Sequence, residues 1–187
     1  MSARRQISPR GAGRRLGRRS RGFVRLEVAL ALLIVLLGAV LALTLADRFQ
    51  QRRNCDRYIA DVRIFSTAFG DYFQQRKTWP STREPETALP PDLAGALKET
   101  NWLKGSPFGG NYGWTAPGAA GEGAPTRDWN GRGAVTLTAF SPSFPLTLNP
   151  SDLLYIDRQI DDGDLATGRF RTGFNGWPVY LVGAAQR

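Results

Sequence analysis

The longest apolar stretch in the chain runs from Val28 to Leu43, and Thr44, Leu45 and Ala46 extend it to nineteen residues without a charge. At a rise of about 1.5 Å per residue, a helix of this length approaches the roughly 30 Å hydrocarbon thickness of a bilayer. The run exceeds the usual signal-peptide core of about 7–15 residues, and no small-residue cleavage site follows it. We therefore predict a retained membrane helix over residues 23–46.

Beyond this run, apolar positions recur at the alternating three- and four-residue spacing of an amphipathic helix. They are Cys55, Tyr58, Val62, Phe65, Phe69 and Tyr72. No proline occurs between Pro9 and Pro80, so residues 47–78 are predicted to continue the membrane helix, giving one helix from about Phe23 to Arg76. Its apolar stripe requires a domain to pack against. Cys55 begins the stripe, and we interpret it as a small buried hydrophobe.

Residues 79–187 are broken into short elements by proline and glycine. We predict a helix that starts at Asp92 and runs to about Leu103. The segment Asn149–Asp152 is predicted to cap a second short helix that runs to about Ile160. Predicted strands cover Ala134–Phe140, Phe144–Leu148, Arg169–Thr172 and Trp177–Val182. The predicted fold class is α+β, with a long N-terminal helix packed against a small antiparallel sheet.

The net charge of +9 is concentrated at the N-terminus, since residues 1–22 hold eight arginines and no acidic residue. The remaining 17 basic and 16 acidic residues nearly balance, so we expect no nucleic-acid partner. Arginines ahead of a membrane helix predict a cytoplasmic N-terminus and an exported C-terminal domain. The chain has no His and one Cys, which excludes histidine-dependent triads, HExxH zinc sites and an intrachain disulfide.

The junction before the apolar run combines Gly22, Phe23 and Glu27 behind the basic segment. This order resembles the leader junction of type IV prepilins, the family that includes pilins and the pseudopilins of type II secretion. The resemblance implies that prepilin peptidase cuts between Gly22 and Phe23, that the new N-terminal Phe23 is methylated, and that Glu27 serves in assembly. Arg25 departs from the small or apolar residues common there.

The resemblance implies a division into a cleaved leader (1–22), a transmembrane helix (23–46), an exported helical half (47–78) and a pilin-like domain (79–187). The chain would be a non-enzymatic subunit of a type II secretion pseudopilus or a related filament in the bacterial inner membrane, with its C-terminal domain in the periplasm. Its partners would be prepilin peptidase, other pilin or pseudopilin subunits, the inner-membrane secretion platform and membrane lipid. The alternative is a signal-anchored periplasmic enzyme or binding protein.

Four acids cluster near the C-terminus, at Asp157, Asp161, Asp162 and Asp164. Oxygen ligands in a glycine-containing loop suit Ca²⁺, and Asp161, Asp162 and Asp164 are the candidate ligands. Major pseudopilins, which the chain resembles, carry calcium in a C-terminal loop. The other interpretation is an ordinary turn in which Arg158, Arg169 and Arg171 pair with the acids.

Overall fold

A computed structural model describes residues 21–81, 91–118, 131–139, 145–173 and 176–183. Residues Met1–Leu45 and Ala46–Arg187 form two compact units. Helix α1 (Arg21–Arg76) has residues in both and is long and apolar enough to cross a membrane. The prediction of one unbroken helix from about residue 23 to Arg76 is confirmed.

In the first unit, the described side chains of α1, from Arg25 to Leu45, are all exposed. They include Leu32, Val35 and Leu43, each more than 60% exposed. An apolar surface of this extent is costly in water and natural in lipid.

In the second unit, the predicted stripe of α1 forms the core. Cys55, Tyr58, Val62, Phe65 and Phe69 are all at most 1% exposed, and Tyr72 packs beside them half-buried. The aromatic rings interlock with those of the domain: Phe69 stacks on Trp114 at 3.9 Å between centroids, and Phe65 meets Tyr112 edge-on at 4.7 Å. The stripe and its interpretation, including a buried Cys55, are confirmed.

Helix α1 ends where the chain turns toward Pro80. Lys77 adopts the left-handed conformation, with φ of 56°, and its amide donates to the Phe73 carbonyl at 2.7 Å. A left-handed residue directly after a helix is a common helix stop. The following segment is held by Trp114, whose indole Nε1 donates to the Pro80 carbonyl at 3.1 Å.

Within the described residues, four antiparallel strands form one sheet in the order β1-β2-β4-β3. They are β1 (Asn111–Thr115), β2 (Gly133–Thr138), β3 (Phe170–Thr172) and β4 (Pro178–Val182). Gly133 pairs with Val182 and lies under the Trp114 ring, where a Cβ would come within 2.2 Å of a ring carbon. Only glycine fits there without moving the indole.

Helix α2 (Pro91–Leu97) is shorter than the predicted helix, because the chain turns at Lys98 and Glu99 instead of continuing to Leu103. The prediction of a strand over Phe144–Leu148 is wrong for its described part, residues 145–148. Pro145 has no amide hydrogen to donate. The amide and hydroxyl of Thr147 both bond to the Phe108 carbonyl, which holds this segment as a loop.

Helix α3 (Pro150–Ile160) begins within the predicted capping segment, and Asn149 is its N-cap. Asn149 and Asp152 form a reciprocal capping box, and Pro150 occupies the first turn. Several contacts join α3 to α1. Among them, Gln51 donates to Asp152, the Arg52 guanidinium lies 3.9 Å from the Tyr155 ring centroid, and Arg63 donates to the Gln159 carbonyl. These contacts run the length of α3, so its last turn is fixed as well.

Candidate functional site

The junction residues predicted for processing and assembly belong to the beginning of α1. Gly22 and Phe23 have helical backbone, and their side chains lie outside the described residues. Arg25 and Glu27 are exposed, and neither makes a hydrogen bond or ion pair within the described part of the chain. Both side chains are therefore accessible to other molecules.

The C-terminal acidic site is built on the last turn of α3. The helix buries Leu153, Ile156 and Asp157 on one side, and Asp161 caps its end by donating its amide to the Asp157 carbonyl at 2.7 Å. Residues four apart lie on the same face of a helix, so the Asp157 and Asp161 side chains follow one another along the axis. Asp162 comes next in the chain as it leaves the helix.

Carboxylate oxygens of Asp157, Asp161 and Asp162 lie within 4.8 Å of one another. The Asp157 side chain is fully buried, and neither of its oxygens has a hydrogen bond of ordinary geometry within the described residues. Burial raises the pKa of Asp157, the nearby carboxylates of Asp162 and Asp161 raise it further, and the Gly163 backbone amide offsets part of the shift. A buried carboxylate needs a proton, a donor or a cation to compensate for its lost hydration.

The other two carboxylates are positioned by the loop that follows. Asp161 accepts the backbone amides of Arg169 and Phe170, the latter at 2.8 Å. Asp162 accepts the Asp164 amide at 3.0 Å and the Thr167 hydroxyl at 2.8 Å, and these bonds lower the pKa of Asp162. Both acids are thus held in one orientation.

Gly168 makes this arrangement possible. Its φ is +67°, and a Cβ at this position would lie 1.9 Å from Asp161 Oδ2 and 2.8 Å from Asp162 Oδ2. Any other residue would push the two carboxylates apart.

The charge of Arg171 acts on this site from a distance and helps to lower the pKa of Asp162. Arg171 Nε donates to the backbone carbonyls of Thr167, at 3.1 Å, and Gly168, at 2.8 Å. Within the described residues, neither Arg158, Arg169 nor Arg171 forms an ion pair with any of the four acids. The other interpretation holds in part: Asp162 and Asp164 form the turns of an ordinary acidic loop by accepting the amides two residues ahead, but the arginine ion pairs do not form within the described residues.

The composition of the site differs from the predicted set in one residue. Asp161 and Asp162 belong to it, whereas Asp164 accepts the Ala166 amide at 3.0 Å and is not one of the three grouped carboxylates. The third member, Asp157, was recognised as part of the acidic cluster but not as a ligand. The sequence feature that could have identified Asp157 as a ligand is its position on the apolar side of α3, next to Ile156.

A second buried carboxylate, Asp61, has a different environment. It lies on α1 and accepts hydrogen bonds from Asn101 Nδ2 at 2.9 Å and from the Tyr112 hydroxyl at 3.0 Å. Burial raises the pKa of Asp61, and the two hydrogen bonds offset part of that shift. Sequence analysis did not single out Asp61, whose bonds tie α1 to β1 and to the turn after α2.

Comparison with known proteins gives no match to a protein-family model, to a curated protein or to a solved structure. The function proposed below therefore rests on the residues of this chain.

Proposed function

We propose that the protein is a prepilin-like, single-pass membrane subunit of a type II secretion pseudopilus or a related type IV filament. In this proposal it is a substrate of prepilin peptidase and a building block, not an enzyme. Residues 1–22 face the cytoplasm as a leader, residues 23–46 cross the bacterial inner membrane, and the domain after residue 79 lies in the periplasm. Its partners are further subunits and the inner-membrane secretion platform.

The observation that carries the proposal is the order of features at the N-terminus. A basic segment, Gly22, Phe23, Glu27 and an uncharged run follow one another without a break. The same helix then supplies the core of an α+β domain with a four-stranded antiparallel sheet. A simple signal anchor would have no need of a carboxylate at the start of the apolar run, where it is costly.

Glu27 has a chemical role in this account. Cleavage before Phe23 creates a cationic amine, and in a bundle of parallel helices the amine of one subunit meets the Glu27 carboxylate of the next. In a medium of low dielectric such a pair attracts more strongly than in water, although desolvation offsets much of the gain. The pair therefore sets the axial register of neighbouring subunits.

The acidic site is proposed to bind Ca²⁺ through Asp157, Asp161 and Asp162. The buried Asp157, whose oxygens have no hydrogen bond of ordinary geometry among the described residues, is the specific observation in favour, because a cation would supply charge that the nearby Gly163 amide offsets only in part. Ca²⁺ takes six to eight oxygen ligands, so backbone carbonyls and water would complete its shell. When bound, the ion would hold the end of α3 to the loop that leads into β3.

The peptidase step is tested at Gly22. The chain is produced with and without prepilin peptidase, and the ratio of precursor to mature protein is measured for wild type, Gly22→Ala and Gly22→Leu. The proposal predicts that wild type is processed, that Gly22→Ala is tolerated better, and that the bulky Gly22→Leu accumulates as precursor. An unchanged ratio for Gly22→Leu would refute the cleavage site and favour a signal-anchored protein.

A further inference from the structure

Several arginines follow the apolar run of α1 at short intervals. Arg48, Arg53 and Arg57 are exposed, and none of the three has a hydrogen bond, ion pair or ring contact within the described residues. Arg52 differs, since its guanidinium lies over the Tyr155 ring, and the nearby Asp56 accepts the Tyr155 hydroxyl at 3.2 Å. Arg48, Arg53 and Arg57 are therefore available to a molecule outside the described chain.

The distance of each arginine from the end of the apolar run decides what it can contact. At about 1.5 Å per residue, Arg48 lies about 3 Å beyond Ala46, Arg53 about 10 Å and Arg57 about 16 Å. The headgroup layer adds only roughly 5–8 Å on each side of the hydrocarbon. Long arginine side chains reach back toward phosphates, which brings Arg48 and Arg53 into that layer and leaves Arg57 outside it.

Phe49 supports the same placement. Its ring is 70% exposed, and it follows Arg48 directly. On a helix, Phe49 and Arg53 are four residues apart and share one face. An apolar ring next to cations on one face matches the boundary between acyl chains and phosphates.

We propose that Arg48 and Arg53, with Phe49 on the Arg53 face of the helix, each bind the phosphate of an anionic phospholipid and so fix the depth of this end of the membrane helix. The proposal rests on the membrane span alone and does not depend on processing or filament assembly. Anionic lipid is the favoured occupant because these arginines lack an acidic partner in the described part of the chain and lie where lipid phosphates are concentrated.

The test places a reporter at this boundary. In the full chain, Phe49→Trp gives an indole whose emission is quenched on contact with brominated acyl chains. The five native tryptophans all lie at or beyond residue 79 and give a constant background. Quenching in mixed vesicles of phosphatidylcholine and phosphatidylglycerol, with one or the other brominated, yields the relative binding constant of the two lipids at this position.

We expect a preference for phosphatidylglycerol that weakens with salt. Adding Arg53→Gln should reduce the preference about five-fold, the effect of one arginine near an anionic surface. Arg57→Gln is the matched control, since it removes the same charge from an equally exposed arginine on the same helix, and it should leave the preference unchanged.

Three results would overturn the proposal. One is equal binding of both lipids with Arg48 and Arg53 intact. Another is an equal loss in Arg57→Gln, which would indicate diffuse charge in place of a defined depth. The third is a pair of observations: no brominated lipid quenches the indole emission of Phe49→Trp, and Arg53→Gln abolishes self-association of the chain. That pair would assign the surface to a second copy of the chain.

Discussion

Asp61 is a buried acid that the fold has paired, with Tyr112 and Asn101 donating to it. Its pKa is raised by burial above the ordinary value of 3.8. The folded protein therefore holds the Asp61 proton more tightly than the unfolded chain does. The stability that this proton contributes is complete below the unfolded pKa and is lost as the pH rises through the folded pKa.

We predict that Asp61→Asn removes this pH dependence and keeps the hydrogen bond from Tyr112. The unfolding free energy of the full chain in detergent, measured from about pH 4 to pH 7, should fall less in the variant than in wild type. Asp61→Ala should instead cost about 1–3 kcal/mol throughout, because the donors lose their acceptor. If the difference in unfolding free energy between Asp61→Asn and wild type stays constant with pH, the raised pKa of Asp61 does not contribute to stability and the burial argument is wrong.

Asp157 is the buried acid whose oxygens make no hydrogen bond of ordinary geometry among the described residues. If Ca²⁺ supplies the missing charge, the melting temperature of the full chain should rise with Ca²⁺ and fall on addition of a chelator. When the free Ca²⁺ concentration is about one hundred times the Kd, binding adds about 2.7 kcal/mol to the free energy of unfolding. This gain corresponds to several degrees in Tm for a domain of this size. Asp157→Asn should abolish the response.

Asp164→Asn is the matched control for this prediction. It removes the same charge from the same loop, but Asp164 is not among the three grouped carboxylates, so the response to Ca²⁺ should remain. A melting temperature that does not change across millimolar Ca²⁺ would refute the metal site. An equal loss of the Ca²⁺ response in Asp157→Asn and Asp164→Asn would show that only the net charge of the loop matters.

At the scale of the elements, α1 combines two surfaces with opposite requirements. Its first part exposes an apolar surface, and its later part buries a stripe of aromatic residues in the domain. Glu27 lies at the start of the exposed part, where nothing in the described chain uses its charge. That position fits a contact made with another molecule.

Glu27→Ala should leave membrane insertion intact or improved, since a charge leaves the apolar segment. Its incorporation into filaments should fall, because the amine of the neighbouring subunit loses its partner. The measurement is recovery of the variant in purified filaments relative to membranes. Asp47→Ala, which removes an exposed acid from the same helix, should be incorporated normally, and wild-type recovery of Glu27→Ala would contradict the assembly role.

Helices α1 and α3 could be predicted because their determinants are local: a continuous period of three to four residues in one, and the Asn149 cap with Pro150 in the other. Strand β1 was not predicted as a strand, since Gly113 leaves only Tyr112 and Trp114 as its apolar signal. It forms because β2 pairs with it along its whole length. That pairing links residues far apart in the sequence.

The acidic site could be predicted only in part, because some of its members are evident from the local sequence and one depends on packing. Asp161 and Asp162 stand out beside Gly163, whereas the role of Asp157 depends on which side of α3 is buried. The three-dimensional packing of α3 against α1 decides that. The loop bonds of Asp164 and Arg171 likewise depend on the path of the backbone, which residue spacing alone does not specify.

At the scale of the whole molecule, the charge distribution follows the proposed topology. The eight arginines of residues 1–22 precede the apolar segment, and the rest of the chain is nearly neutral. Cleavage after Gly22 would remove that charge and leave a mature chain beginning at the membrane. The leader would then orient the chain in the membrane and be recognised by the peptidase, and the mature protein would assemble into the filament.

The mass of the N-terminal peptide tests this central claim most directly. The protein is isolated from membranes of cells that contain prepilin peptidase, and its N-terminal peptide is identified by mass spectrometry, with peptidase-deficient cells as the control. We predict a chain that begins at Phe23 and carries one added methyl group, found only when the peptidase is present. A chain that keeps residues 1–22 in both strains, or one cut elsewhere, would contradict the account.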